Sequence, residues 1–173
     1  MKPLKLTGIQ YAALPYRLHH RQLQIMLITS RRTRRWVIPK GWPMAGLKPQ
    51  EAAAQEAAEE AGIVGQIADT PIGSYRYFKQ LKGEYVQAVQ VIVFPMRVDD
   101  QIPAFKEQGQ RMFAWFGYQE AASRIAEPSL RRLVRDFGAM QAPSLIARGL
   151  RTYRAWRSGD LAVRLNWPKV RRR

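Results

Sequence analysis

Between Pro39 and Gly62 the chain passes through a stretch that cannot be regular and then directly into a helix fixed at both ends. Gly41, Pro43, Gly46 and Pro49 break any strand or helix across 41–49, because proline lacks a backbone donor and glycine has no conformational preference to offer. From Gln50 to Ala61 alanine and glutamate dominate, Pro49 suits a first helical position and Gly62 is the terminator. Glu56, Glu59 and Glu60 then stand at i, i+3 and i+4 and share one face. Like charges so spaced cost an isolated helix roughly a few tenths of a kcal/mol per pair. No Lys or Arg lies between residues 49 and 75 to offset them, so the neutralising charge must come from elsewhere. A divalent cation with oxygen ligands does this directly. Mg²⁺, which takes one or two carboxylates together with waters and substrate phosphates, suits a cluster of this size. The competing reading is a solvated acidic helix face.

Strand-like segments surround this helix. Gly8 to Leu18 and Gln22 to Ser30 read as two strands joined at His19-His20-Arg21, two exposed histidines and an arginine. The second is nearly all apolar, as a strand covered on both faces requires. A basic run, Arg31-Arg32-Thr33-Arg34-Arg35, leads into a short β segment, Trp36-Val37-Ile38, closed by Pro39 and the loop. Ile72 to Gln80 and Glu84 to Val98 read as a long hairpin turning at Leu81-Lys82-Gly83, with Tyr75, Tyr77 and Tyr85 alternating. Such tyrosines serve either cross-strand packing or base stacking. Met112 to Phe116 predicts a further strand, then helices over Gln119 to Ile125 and Ser129 to Met140. Beyond Pro143 an amphipathic segment carries Leu145, Ile146, Leu150, Tyr153 and Trp156, followed by the tail Trp167 to Arg173. No repeat or linker divides the chain. We read one principal domain over 1–141 with a basic helix and tail at 142–173 as its appendage.

With 173 residues and 46% hydrophobic content, the chain has the composition of a globular domain. The absence of cysteine removes disulfides, thiol nucleophiles and every sulfur-ligated metal site. Carboxylates and two histidines are left as metal ligands, so a hard cation is expected. No apolar run spans a bilayer and Met1 to Lys5 lacks a signal-peptide core; a cytoplasmic protein is the expectation. Charge is segregated: residues 1–50 carry a net +10, residues 51–141 a net −2 and residues 142–173 a net +8. A field of this sign attracts phosphates, whether of nucleotides, nucleic acid or an anionic surface.

The stretch Gly41 to Ile63 resembles the box of the Nudix hydrolases. Gly41, Glu56, Ala57, Glu59, Glu60, Gly62 and Ile63 fall at matching positions with the spacing intact. Two positions depart: the family glutamate is Leu47 here and the family arginine is Gln55. In the family these two pair and brace the loop. Both partners are replaced together, which leaves no unpaired charge, so the reading is a rebuilt brace. Outside the box, Trp36 to Gly41 and then Glu107, Arg111 and Trp115-Phe116 are similar to bacterial Nudix members of the diphosphoinositol-polyphosphate and dinucleoside-polyphosphate hydrolase branch. The likeness covers residues 5–140. It implies an α+β fold, a Nudix-type α/β/α sandwich with a mixed, curved sheet and a loop-helix-loop catalytic box.

The resemblance also implies a chemistry. Hydrolysis of a phosphoanhydride needs cations on the phosphate oxygens and a positioned, deprotonated water. By the family pattern Glu56 and Glu60 are principal Mg²⁺ ligands, with Mn²⁺ as a substitute, and Glu59 is a ligand or the base. Gly41 offers a backbone carbonyl, and Glu107 is either a further ligand or base or a surface glutamate beside Lys106. Lys40, Arg31, Arg32, Arg34 and Arg35 are candidates for holding phosphates away from the scissile bond, since guanidinium binds phosphate oxygens in pairs. The expected substrate is a nucleoside polyphosphate, dinucleoside polyphosphate or diphosphoinositol-like compound. The alternative is a weakly active or non-catalytic Nudix-fold module that holds RNA or another polyanion through its basic ends.

Overall fold

A computed structural model describes residues 6–80 and 86–142. The strands are β1 (Leu6–His19), β2 (Gln22–Thr29), β3 (Trp36–Val37), β4 (Lys40–Gly41), β5 (Ile63–Ile67), β6 (Gly73–Gln80), β7 (Val86–Gln101) and β8 (Phe113–Gly117). Helix α1 is Pro49–Ala61 and α2 is Tyr118–Arg124; residues 128–142 form α3. No helix among the described residues is long and apolar enough to cross a membrane. The amphipathic segment from Leu145, the tail to Arg173, Leu81 to Gly83 and Tyr85 lie outside the described residues.

Two turn residues with positive φ, His20 at 46° and Arg21 at 63°, join β1 to β2. Two-residue hairpin loops use this geometry because it matches the twist of the strands they connect. The sheet is mixed and runs β3-β2-β1-β7-β5, with β4 on β1, β6 on β7 and β8 on β2. Its centre is a parallel pair, β1 against β7, flanked by antiparallel ladders. Period-two alternation sorts the core into two halves. Ala12, Leu14, Ile25, Leu27, Val89, Val91 and Val93 face α2 and α3 through Ala121, Ile125, Leu130, Val134 and Phe137. Ala13, Met26, Ile28 and Met96 face α1 through Ala57 and Ala61. Helices therefore cover both faces, which explains why β2 reads as continuously apolar.

The helix starts at Pro49, where Glu51 accepts the backbone N–H of Lys48 at 2.8 Å. It ends at Gly62, left-handed with φ 66° and with its N–H returned to the carbonyls of Ala57 and Ala58. The expected loop starts later than Pro39: Lys40 and Gly41 form β4, with Tyr11↔Gly41 and Ala12↔Lys40 in register. That pairing lies along β1 where β2 has left it, since β2 takes residues 16–19 of the same strand. The strand β5 was not anticipated. It pairs with residues 96–101 of β7, extending that strand beyond the expected end at Val98.

Gly62 is also pressed against the Phe105 ring, where a Cβ would overlap it. Gly62→Ala should therefore cost more than the roughly 1–2 kcal/mol of a left-handed non-glycine residue alone. A fall in Tm of several degrees, at about 2–4 °C per kcal/mol for a chain of this size, is the expected result of thermal unfolding by circular dichroism.

Candidate active site

Helix α1 buries Ala52, Ala53, Ala57 and Ala61 and turns its glutamates toward the end of the sheet where β3 and β4 lie. Glu60 is only 8% exposed. Its Oε2 accepts the backbone N–H of Lys40 at 3.1 Å, and its Oε1 accepts Nη2 of Arg111. Arg111 is equally buried and each of its nitrogens is engaged: Nε donates to Glu107 Oε2 at 2.6 Å and Nη1 to the Thr29 carbonyl at 3.1 Å. Arg31 reaches the other oxygen of Glu107 at 3.2 Å. Glu59 accepts Nε2 of Gln55 at 2.8 Å and Nζ of Lys106 at 2.5 Å. The backbone N–H of Glu107 donates to the Glu59 carbonyl at 3.0 Å, tying the 102–112 loop to the helix. Glu56 lies flat on Gly41, so that a Cβ there would occupy the space of its carboxyl group. The glycine is required by this approach rather than by its φ.

The charge that neutralises the glutamate face is thus supplied across the fold, by Arg111 and Lys106, where the helix alone pointed to a cation. Among the described residues no three carboxylates converge closely enough, as they stand, to enclose a metal ion. The donor set nevertheless fits a hard cation. Of the five carboxylates that line one cleft, Glu56, Glu59, Glu60 and Glu107 stand with the Gly41 backbone, all oxygen ligands of the kind Mg²⁺ and Mn²⁺ take. Burial and hydrogen bonding shift the pKa of three of them, Glu56, Glu59 and Glu60. Burial pushes Glu60 up to about 7, outweighing the charges of Arg111 and Lys40. Burial also raises Glu56, with the charges of Glu59 and Glu107 adding to it. Glu59 moves the other way, held down by its hydrogen bonds from Gln55 and Lys106. A cation here would favour the charged forms of Glu56 and Glu60 that burial disfavours.

The cleft, about 460 Å³, extends from these carboxylates to Arg31, Arg32, Arg35, Lys40 and Lys79. Arg34 does not line it. Held at φ 54°, its side chain donates to the Gln110 carbonyl at 3.1 Å. Lys40 Nζ lies 5.5 Å from the Tyr77 ring centre and is buried enough that its pKa falls. Tyr77 donates to Gln10 Oε1 at 2.8 Å, and Tyr75 is 3% exposed, its phenol pushed well above the ordinary value by burial. Both tyrosines pack against the core and line the cleft; Tyr75 is too buried to present a face to a base, while Tyr77 is partly exposed. His19 and His20 are exposed at the β1–β2 turn and are not part of the cleft wall. Sequence reasoning gave no cleft role to Lys106, Lys79, Trp42, Phe78 or Glu127. Lys106 lies 47 positions from Glu59, and no local pattern carries such a pairing.

Residues 10–137 match the NUDIX domain. Among curated relatives, "Nudix hydrolase 17, mitochondrial" of Arabidopsis thaliana is 28% identical over 100 residues, 58% of this chain and 53% of that protein. "Nudix hydrolase 13, mitochondrial" of the same plant is 29% identical over 107 residues, 58% of this chain and 52% of that protein. The chain spans about half the length of these relatives. In fold it is similar to a C. elegans Ap4A hydrolase in a binary complex, with TM-score 0.59, 22% identity, and 79% of this chain and 99% of that one covered. The NUDIX domain of Shewanella oneidensis NrtR, solved with ADP ribose, gives TM-score 0.57 at 13% identity over 78% of this chain and 90% of that one. With the box glutamates gathered at the end of a mixed sheet and the domain match covering most of its length, this chain belongs to the Nudix family.

Proposed function

We propose that this protein is a divalent-cation-dependent pyrophosphohydrolase that cleaves a phosphoanhydride bond in a nucleoside or dinucleoside polyphosphate or a diphosphoinositol-like compound. The observation that carries the reading is the polarity of one cleft. Its floor is Glu56, Glu59, Glu60 and Glu107 backed by Gly41 and Lys40, and Arg31, Arg32, Arg35 and Lys79 line the rest. A polyphosphate laid across it has its reacting group over the carboxylates and its other charges among the cations. The names of similar proteins, including hydrolases and an Ap4A hydrolase, point the same way.

Glu56, Glu59 and Glu60 would hold Mg²⁺ or Mn²⁺, with the Gly41 carbonyl and Glu107 as further ligands. The ion supplies charge neutralisation on the phosphoryl oxygens and lowers the pKa of water in its shell. Arg31, pivoting on Glu107, and Arg35 grip phosphates remote from the scissile bond in the paired fashion that guanidinium allows. Lys40 adds a point charge from beneath, and the Gln55 and Lys106 hydrogen bonds keep Glu59 ionised and aimed. That support comes from Gln55 itself and from a lysine outside the box, so the exchange of the family's Glu and Arg for Leu47 and Gln55 leaves the glutamate face held in place.

Glu60→Gln should reduce Mg²⁺-dependent turnover by roughly 10²-fold or more, the scale of losing a principal electrostatic group. Steady-state phosphate release across nucleoside triphosphates, dinucleoside polyphosphates, diphosphoinositol phosphates and 5′-triphosphorylated RNA measures it. Full retention rejects the site. A folded wild type that binds polyanions yet turns over none of the panel makes the protein a binding module.

The titration of Glu60 gives a separate outcome. Its folded pKa lies above the ordinary value of 4.5, at about 7, so the folded state binds the proton more tightly than the unfolded state. Its contribution is therefore fully favourable below 4.5 and is lost as pH rises through 7. Metal-free Glu60→Gln protein should gain Tm relative to wild type as pH rises from 5 to 7.5, and Mg²⁺ binding to the wild type should tighten over the same range with proton release. Calorimetry in two buffers reads both.

Removing Arg31 and Arg35 charge should raise KM roughly tenfold for long phosphate chains and less for short ones, as expected of charge-assisted hydrogen bonds made outside the reacting group. An equal effect at every chain length, measured over tri-, tetra- and pentaphosphates, counts against that assignment.

A further inference from the structure

Glu127 lines the same cleft but belongs to neither its metal-facing floor nor its cationic lining. It immediately precedes α3, and its main-chain carbonyl accepts the Arg131 N–H at 3.0 Å, so the helix takes its support from the backbone. The side chain is 14% exposed. Its Oε2 is the one buried side-chain oxygen or nitrogen among the described residues without a hydrogen-bond partner. Its Oε1 lies 3.8 Å from Nη1 of Arg35, beyond hydrogen-bond length, an attraction of charge alone. Buried polar atoms are almost always satisfied, and an unpartnered one on a residue that lines a binding cleft marks a contact that a ligand completes.

The missing partner must be a donor, and it is not a phosphate, because an anion brought against a buried carboxylate is repelled. Tyr75, Tyr77, Phe78 and Trp42 stand along the same cleft, and Phe78 and Trp42 keep exposed faces, 64% and 37%. Flat aromatic faces beside an acceptor suit a heteroaromatic ring that stacks and offers N–H groups from its edge.

The geometry points to Glu127 as the residue that recognises the base of a nucleotide substrate, its carboxylate accepting N–H from the base edge while the phosphates extend over Glu56, Glu59 and Glu60. Guanine, with two adjacent N–H donors, satisfies both oxygens at once. The same carboxylate disfavours compounds that carry phosphate on every side, so it selects nucleotides over diphosphoinositol polyphosphates. The inference rests on the hydrolase reading only for the direction in which the phosphates lie.

The test is equilibrium binding by calorimetry with Mg²⁺, using a GTP analogue with methylene bridges at both anhydride positions, base-free imidotriphosphate and a diphosphoinositol polyphosphate whose diphosphates are replaced by methylenebisphosphonates. Glu127→Ala should weaken the GTP analogue roughly ten- to hundred-fold, the worth of a hydrogen bond to a charged group, and leave imidotriphosphate unchanged. Glu127→Gln, which keeps shape and one acceptor, should fall between and should bind the diphosphoinositol compound better than wild type does. It stands in if the alanine variant fails to fold. Equal weakening of the GTP analogue and imidotriphosphate, no weakening of either, or a wild type that prefers the diphosphoinositol compound overturns the assignment. Because these probes are not cleaved, an inactive protein with Glu127-dependent base binding sinks the hydrolase reading alone. An active one indifferent to Glu127 sinks this assignment alone.

Discussion

The Glu60–Arg111 contact holds the site together, and it does so from an energetically awkward position. Both side chains are nearly buried, and taking two charges out of water costs several kcal/mol per ion before their attraction returns anything. The arrangement survives because each oxygen of Glu60 and each nitrogen of the Arg111 guanidinium has a hydrogen-bond partner. Lys40 donates its backbone N–H to the second oxygen of Glu60, and Glu107 and the Thr29 carbonyl complete the guanidinium. One network therefore ties the box helix, the end of β2, the first residue of β4 and the 102–112 loop. Removal of Arg111, which would leave buried carboxylates uncompensated, is worth about 3–5 kcal/mol, so the site and the fold at this end of the sheet depend on it together.

The cleft itself exists because β1 changes partners. Over Tyr16 to His19 it pairs with β2, and over Tyr11 and Ala12 it pairs with β4, with Ala13 donating to the Pro39 carbonyl at 3.1 Å between the two. Divergence of neighbouring strands leaves a gap at their ends. The chain fills it with Lys40 and Gly41, whose short ladder fixes the loop at the height of Glu56 and Glu60. A glycine at 41 follows directly, because any side chain would meet Glu56.

What the sequence disclosed and what it hid divide by range of interaction. Helix α1 was readable to within a residue because its start at Pro49, its stop at Gly62 and its alanine face are local signals. The strands β1, β2, β6 and β7 were readable from period and turn residues. Strand β5 was not, because Ile63-Val64-Gly65-Gln66-Ile67 is mostly exposed, is bulged at Gly65 and owes its existence to the far end of β7. Strand β4 is two residues long and carries no periodicity. Within the site, the glutamates were legible as a spaced set on one helix. Their partners were not: Arg111 lies 51 positions from Glu60 and Lys106 lies 47 from Glu59. An uncompensated helix face told us that charge had to arrive, and nothing local told us from where.

The segregation of charge along the chain has a physical sense once the cleft is built. The first fifty residues hold ten cations and no acid, and Arg31, Arg32, Arg35 and Lys40 of that segment line the cleft. The acids that define the floor come from the middle of the chain. Folding thus sets two regions of opposite sign against each other across a solvent-filled gap, close enough for Arg31 to touch Glu107 and far enough for Arg32 and Arg35 to remain exposed. If the two sets met throughout, the charges would be spent on each other. The partial closure leaves Arg32 exposed in the cleft wall and Arg35 at 3.8 Å from Glu127, attached without a hydrogen bond. An anion that enters can engage Arg32 at little cost, because doing so breaks no buried pair.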